Sequence, residues 1–203
     1  MSDILDGVSG NRLLGDDYWK DFGENFWKTD EGGFWKLERR QTFQEPGSES
    51  WTAFVEGDWE EALRLTDARR PSMREYYQKI KDHGFRACRV RVVEKPISPY
   101  LQWELHLLRL RDELGGPVRV VTREQIDDRE RQGQLPEIVT LGSDVMYKLL
   151  YDDEGLQLGG IRYTDRALIR RWQGVIYDLY AIGEDIASFF EREVAPLKAP
   201  CGG

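Results

Sequence analysis

A mixed α/β fold is what this sequence predicts, and three stretches predict it. Residues 84–121 read as strand, helix and strand in succession, residues 145–163 as a hairpin, and residues 165–192 as a long amphipathic helix. Strands joined through a helix pair in parallel, because only a crossover of that length returns the chain to the same end of the sheet, whereas a short turn leaves its strands antiparallel. The sheet should therefore mix both senses, with helices on its faces.

In chain order, residues 1–11 are polar, contain Gly and Ser, and are expected to be loose. Leu13, Leu14, Tyr18, Trp19, Phe22 and Phe26 recur at helical steps and predict a helix over 12–26, which Gly32 and Gly33 separate from a strand at 34–39. Pro46 and Gly47 end that segment, and Ser48 can cap a helix carrying Trp51, Phe54 and Val55. Helices over 58–67 and 71–83 follow. Cys88, Val90 and Val92 alternate with Arg89, Arg91 and Val93, so one strand face is apolar and the other begins with two arginines. Pro96 stops this strand. Ser98 and Pro99 start a helix whose buried stripe is Leu101, Leu105, Leu108 and Leu114, and Gly115-Gly116 ends it before a strand at 118–121. A charged loop over 122–136 leads to a short strand at 138–140. Val145–Tyr151 and Leu156–Tyr163 then form a hairpin around Asp152-Asp153-Glu154-Gly155. The helix over 165–192 buries Leu168, Trp172, Ile176, Leu179, Ile182 and Phe189, and the tail over 195–203 should fray. The organisation expected is a flexible N-terminus (1–11), a helical preface packed on the main domain (12–83), an α/β domain (84–194) and a flexible tail (195–203).

Length and composition allow one well-buried domain: 203 residues, 40% hydrophobic, with seven Trp, nine Tyr and eight Phe to supply an aromatic-rich core. Two cysteines, Cys88 and Cys201, make neither a disulfide framework nor a metal-ligand spacing, which points to a reducing cytoplasm. The chain shows no signal-peptide pattern and no apolar run of membrane-spanning length, so no membrane association is expected. The net charge of -8 is unevenly spread. Residues 1–62 hold 15 acids against 6 bases, while residues 63–95 hold 10 bases against 4 acids. That basic island can meet a phosphate or an acidic partner, or equally pair with the acidic first third of the same chain. The acidic remainder disfavours direct nucleic-acid binding.

One spacing has chemical content. Met146-Tyr147-Lys148-Leu149-Leu150-Tyr151-Asp152-Asp153, followed by Gly159-Gly160, has the spacing of His-x-Lys-x-x-x-x-Asp with methionine at the nucleophile position. A thioether cannot attack a phosphorus centre, so catalysis through this motif is not expected. Lys148 and Asp153 are alternatively an outward lysine and a turn aspartate of an ordinary hairpin. The order of elements over 84–192 together with this motif resembles one half of a phospholipase D-like fold in degenerate form. In that superfamily two His-Lys-Asp motifs meet, so the resemblance implies a homodimer if a shared site is to form.

Over about 13–195 the chain also resembles an uncharacterised family of small actinobacterial proteins often encoded beside XRE-type helix-turn-helix regulators. The resemblance rests on Arg89, Val90, Val92, Pro96, Ile97, Ser98, Tyr100, Leu101, Trp103, Glu104 and Leu105, on Phe34-Trp35-Lys36-Leu37-Glu38, and on Arg171-Trp172. It implies a setting of regulation and carries over no catalytic residue.

Strand ends and helix N-termini in α/β folds are where anions gather, and Arg89, Arg91, Ser98, Tyr100, Glu104, Lys148 and Asp153 are therefore the candidate ligand-binding residues. The arginines can alternatively be structural ion pairs with Glu104 or with N-terminal acids. His83 reads as a cation at a helix C-terminus and His106 as a helix residue. No Gly-rich phosphate loop, nucleophile elbow or metal-spaced cluster occurs, so no catalytic residue, cofactor or metal is expected. The functional expectation is a non-catalytic regulatory or interaction module that senses a small anionic ligand and contacts a DNA-binding regulator or another protein. The alternative is a phosphodiester- or nucleotide-processing enzyme using the remnant Lys/Asp motif.

Overall fold

The apolar members of Phe34–Glu38 (β2) and Ala87–Val93 (β3) pair in parallel, Leu37 opposite Val90, and Val118–Thr122 (β4) adds in parallel beyond β3. Around this centre a computed structural model, which describes Leu5, residues 8–131 and residues 133–200, builds a mixed α/β architecture on one eight-stranded sheet. The remaining strands are Asn11–Leu14 (β1), Ile138–Leu141 (β5), Val145–Tyr151 (β6), Gln157–Tyr163 (β7) and Glu184–Asp185 (β8). Their order is β1-β7-β6-β5-β2-β3-β4-β8, with every pairing outside β2-β3-β4 antiparallel.

The crossover from β3 to β4 is Pro99–Glu113 (α5), started by the Ser98 hydroxyl accepting from Leu101 N at 3.1 Å. A second crossover joins β2 to β3 through Glu49–Val55 (α2), Trp59–Ala68 (α3) and Arg70–Asp82 (α4), with Ser48 and Asp58 capping α2 and α3. The segment read as a helical preface thus also contributes an interior strand and an edge strand to the sheet. The helix predicted over 12–26 is corrected at its start: residues 11–14 form β1, and the helix proper is Gly15–Phe26 (α1). Leu13 and Leu14 lie opposite Gly160 and Gly159, and a Cβ on Gly159 (φ +150°) would sit 2.2 Å from Leu13 O. The Gly-Gly pair is the opening through which β1 reaches the sheet.

The helix predicted over 165–192 is likewise corrected, because it is two. Arg166–Ile182 (α7) ends at Gly183, where the backbone turns extended. Glu184–Asp185 then pairs with β4, and the Asp185 carboxylate accepts from Ala187 N and Ser188 N to start Ile186–Glu193 (α8). Both halves carry helical periodicity, so the sequence period alone did not reveal the break. Arg123–Ile126 (α6) occupies the charged loop. The expected looseness of 1–11 and 195–203 falls partly outside the described residues, as does Cys201; within them, Leu5 is buried and Leu197 N donates to Val194 O at 3.0 Å.

The two faces of the sheet differ in chemistry. One packs Leu37, Val90, Val92, Ile138 and Met146 against Leu168, Trp172, Ile176 and Leu179 of α7. The other is covered in patches: aromatics of α1 and α4 over β5 and β6, and α5 and α8 over β3 and β4. Between those patches the sheet floor is charged.

Candidate functional site

Period-two alternation places Lys36 and Glu38 on the opposite side of β2 from Leu37, and register pairs them with Arg89 and Arg91 of β3. Four charged side chains therefore meet where the helical cover is interrupted. Lys36, Glu38 and Arg89 line an open cavity of about 800 Å³. Its walls are the segment 43–50, Leu65 and Arg69 near the α3–α4 junction, Leu107, Leu108 and Arg111 of α5, Tyr151, Leu156 and Gln157 of the hairpin, and Trp19 of α1. The 43–50 wall is tied down at both ends. Gln44 N donates to Gly155 O at 3.0 Å, the Tyr100 hydroxyl donates to Glu45 Oε1 at 2.8 Å, and Trp103 Nε1 donates to Ser50 Oγ at 2.9 Å.

The floor is an ion-pair network. Glu38 accepts from Arg89, and Lys36 Nζ lies 2.8 Å from the same carboxylate oxygen. Beneath them Arg91, fully buried, has Nε and Nη2 each 2.7 Å from Glu104 Oε2, and its Nη1 donates to Arg40 O at 2.5 Å. The environments push the two carboxyls apart. Burial works to raise Glu38, but Arg89, Lys36 and Arg91 outweigh it and hold the group at about 2. Burial dominates at Glu104, with Glu38 and Glu45 adding to it against Arg91, and pushes the carboxyl up to about 7.

Arg69 and Arg111 are different. Both are half-buried at the cavity wall, and among the described residues neither forms an ion pair with a carboxylate. Burial and then Arg111 lower the pKa of Arg69, against which Glu45 acts at longer range. Among the described residues Arg111 Nη1 donates to the Tyr77 hydroxyl, at 3.3 Å; burial works to lower the pKa of Arg111, but Tyr77 and then Glu38 raise it. Tyr77 reaches that place because Gly116 leaves room: a Cβ there would meet its ring at 2.3 Å.

Of the residues expected from sequence, Arg89 and Glu104 line this cavity, Arg91 lies under it and Tyr100 braces its wall. Ser98 is engaged as the α5 cap. Lys148 is not brought to the same place. It pairs in register with Ile138 and Ile161, which pack with Met146 in the core under α7, so it belongs to the opposite face of the sheet. Asp153 is exposed in the hairpin turn. Neither histidine lines the cavity: His83 Nδ1 is 2.8 Å from Lys79 O at the end of α4, and His106 is held at about 4 by burial and Arg109. The bases of the central island are neutralised from several sides, Arg89 by Glu38, Arg70 by Asp67 and Glu113, and Lys95 by Glu193.

Lys36, Glu38, Glu45, Arg69 and Arg111 were not singled out from sequence. The charges flanking Leu37 in a predicted strand were a usable signal for the first two. Arg69 and Arg111 sit in separate helices, and nothing local marks them as neighbours.

The family model described as domain of unknown function DUF6879 matches residues 20–191. The chain belongs to the DUF6879 family. The match runs from α1 into α8 and takes in every residue that lines the cavity except Trp19. No curated protein matches the DUF6879 chain. Among its described residues, no helix is long and apolar enough to cross a membrane, and no group of three or more His, Cys, Asp or Glu is arranged to hold a metal ion.

Proposed function

We propose that this DUF6879 protein is a non-catalytic binding module that takes a small anionic ligand into the cavity over β2 and β3 and reports its presence to a protein partner. The observation that carries this reading is the pair Arg69 and Arg111. Two guanidiniums stand on one cavity wall with no direct ion pair, Glu45 acting on Arg69 and Glu38 on Arg111 from further off, so an anion can take the place beside them. Guanidinium groups stay protonated and bind; they do not attack or transfer protons. The other charges of the floor are occupied with one another through Arg89–Glu38, Lys36–Glu38 and Arg91–Glu104. The resemblance to actinobacterial proteins encoded beside helix-turn-helix regulators suggests such a regulator as the partner, in the cytoplasm. The phospholipase D-like resemblance supplies no residue to the cavity, because Lys148 and Asp153 lie elsewhere.

The test is calorimetric titration of the purified protein with inorganic phosphate, repeated on Arg69→Ala combined with Arg111→Ala. Saturable binding lost in the double variant supports the reading; absence of binding to the wild type at low salt overturns it. A second reading has its own support. Two carboxyls on one cavity floor, one held at about 2 and the other pushed up to about 7, are matched to the roles of ionised base and proton donor. Turnover of a phosphodiester by the wild type and its loss in Glu104→Gln would make the enzyme reading the better one.

A further inference from the structure

We infer that the ligand is an amphipathic anion, an acidic head group on an apolar or aromatic body, lying across the sheet in one orientation. This inference rests on the anion-binding reading and specifies it.

The cavity has two chemically distinct ends, set by strand order. Arg111 belongs to α5, which packs over β3 and β4, and Arg69 lies beside it on the α3–α4 junction. The other end is built over β6 and β7 by Tyr151, Leu156 and, from α1, Trp19. β5 and β2 lie between, so the cationic and apolar ends are separated by the width of those strands. At the apolar end Trp19 is 54% exposed and Leu156 38%, although both line a concave surface. Trp19 touches the core through the edge of its own neighbour, the Tyr18 ring, at 4.9 Å between centroids. A large indole left open at a cavity mouth is surface that a ligand can remove from water, and aromatic faces accept flat rings well. Inorganic phosphate satisfies only the arginine end. A head group with an apolar body satisfies both, and the charges fix which end goes where.

The experiment compares inorganic phosphate, 1-naphthyl phosphate and 1-naphthol by calorimetry on the full chain. Naphthyl phosphate should bind at least about tenfold tighter than inorganic phosphate, since burial of a bicyclic ring at the apolar end adds that much or more. Naphthol should bind far more weakly than its phosphate. Trp19→Ala should shrink the ratio of the naphthyl phosphate to the phosphate affinity, and Trp19→Phe should restore most of it, which a general loss of folding would not do. Lys148→Ala, on the opposite face, should leave both affinities unchanged. Equal affinities for phosphate and naphthyl phosphate, with binding still dependent on Arg69 and Arg111, would overturn the amphipathic ligand and leave the anion reading standing. Failure of both phosphates to bind would remove both.

Discussion

The face of the sheet under α7 and the face under α1 and α5 are built from the same strands, yet they do opposite things with alternate residues. Under α7, Leu37, Val90, Val92, Ile138 and Met146 close against Trp172 and Ile176 with almost no exposed surface. Across the strand, Lys36, Glu38, Arg89 and Arg91 stand where those apolar residues would continue the core. A charged floor inside a domain costs desolvation that ion pairs only partly return, so its presence is weak support for stability and stronger support for a role in binding. Folding rests on the first face, and the proposed recognition on the second.

The largest expected effect tests the first assignment. Trp172→Ala, at a side chain that is 1% exposed, should cost about 3–5 kcal/mol in urea unfolding while the folded fraction keeps its phosphate affinity. A loss of affinity in folded protein would mean that the two faces are coupled. Next is Arg91→Ala, which strands Glu104 beside Glu38 in a dry site and should cost about 3 kcal/mol. Because Glu104 is then the uncompensated group, adding Glu104→Gln should recover part of that loss, and strict additivity would refute the pairing.

A pH series sharpens the same point. Glu104 has its pKa raised in the folded state, so its contribution is fully present below the ordinary carboxylate value and is lost as pH rises through about 7. Glu38 is held low, so its contribution is present above the ordinary value and is lost as pH falls toward about 2. The wild type should therefore lose about 2 kcal/mol relative to Glu104→Gln between pH 5 and pH 8. A constant difference across that range would show Glu104 to be ionised throughout. The smallest stability effects belong to the cavity wall. Arg69→Ala should shift unfolding by about 1 kcal/mol or less, in either direction, since no ion pair is lost, yet it should abolish the stabilisation of the melting temperature by phosphate. A large destabilisation would make Arg69 a structural residue.

Local signals were reliable where they were chemical. Ser48 and Ser98 cap the helices their positions imply, and the turn Asp152–Gly155 closes the hairpin, with Leu156 N donating to Asp152 Oδ1 at 2.8 Å. Periodicity was less decisive at β1 and at Gly183, because three- and four-residue spacing continues through a short strand as easily as through a helix. The candidate site was partly legible: the arginine alternation of β3 led to Arg89 and Arg91, while their partners in β2 waited on the register.

By itself, the sequence determined the mixed α/β class, the crossover from β3 to β4, the hairpin, and the apolar side of β3, because these follow from alternation, caps and turns within a few residues. Tertiary structure alone decided that β2 lies between β5 and β3, that Lys148 faces away from Arg89, and that Arg69 and Arg111 share a wall. Those facts depend on strand order and register, and register moves whole sets of side chains from one face to the other without changing any local pattern.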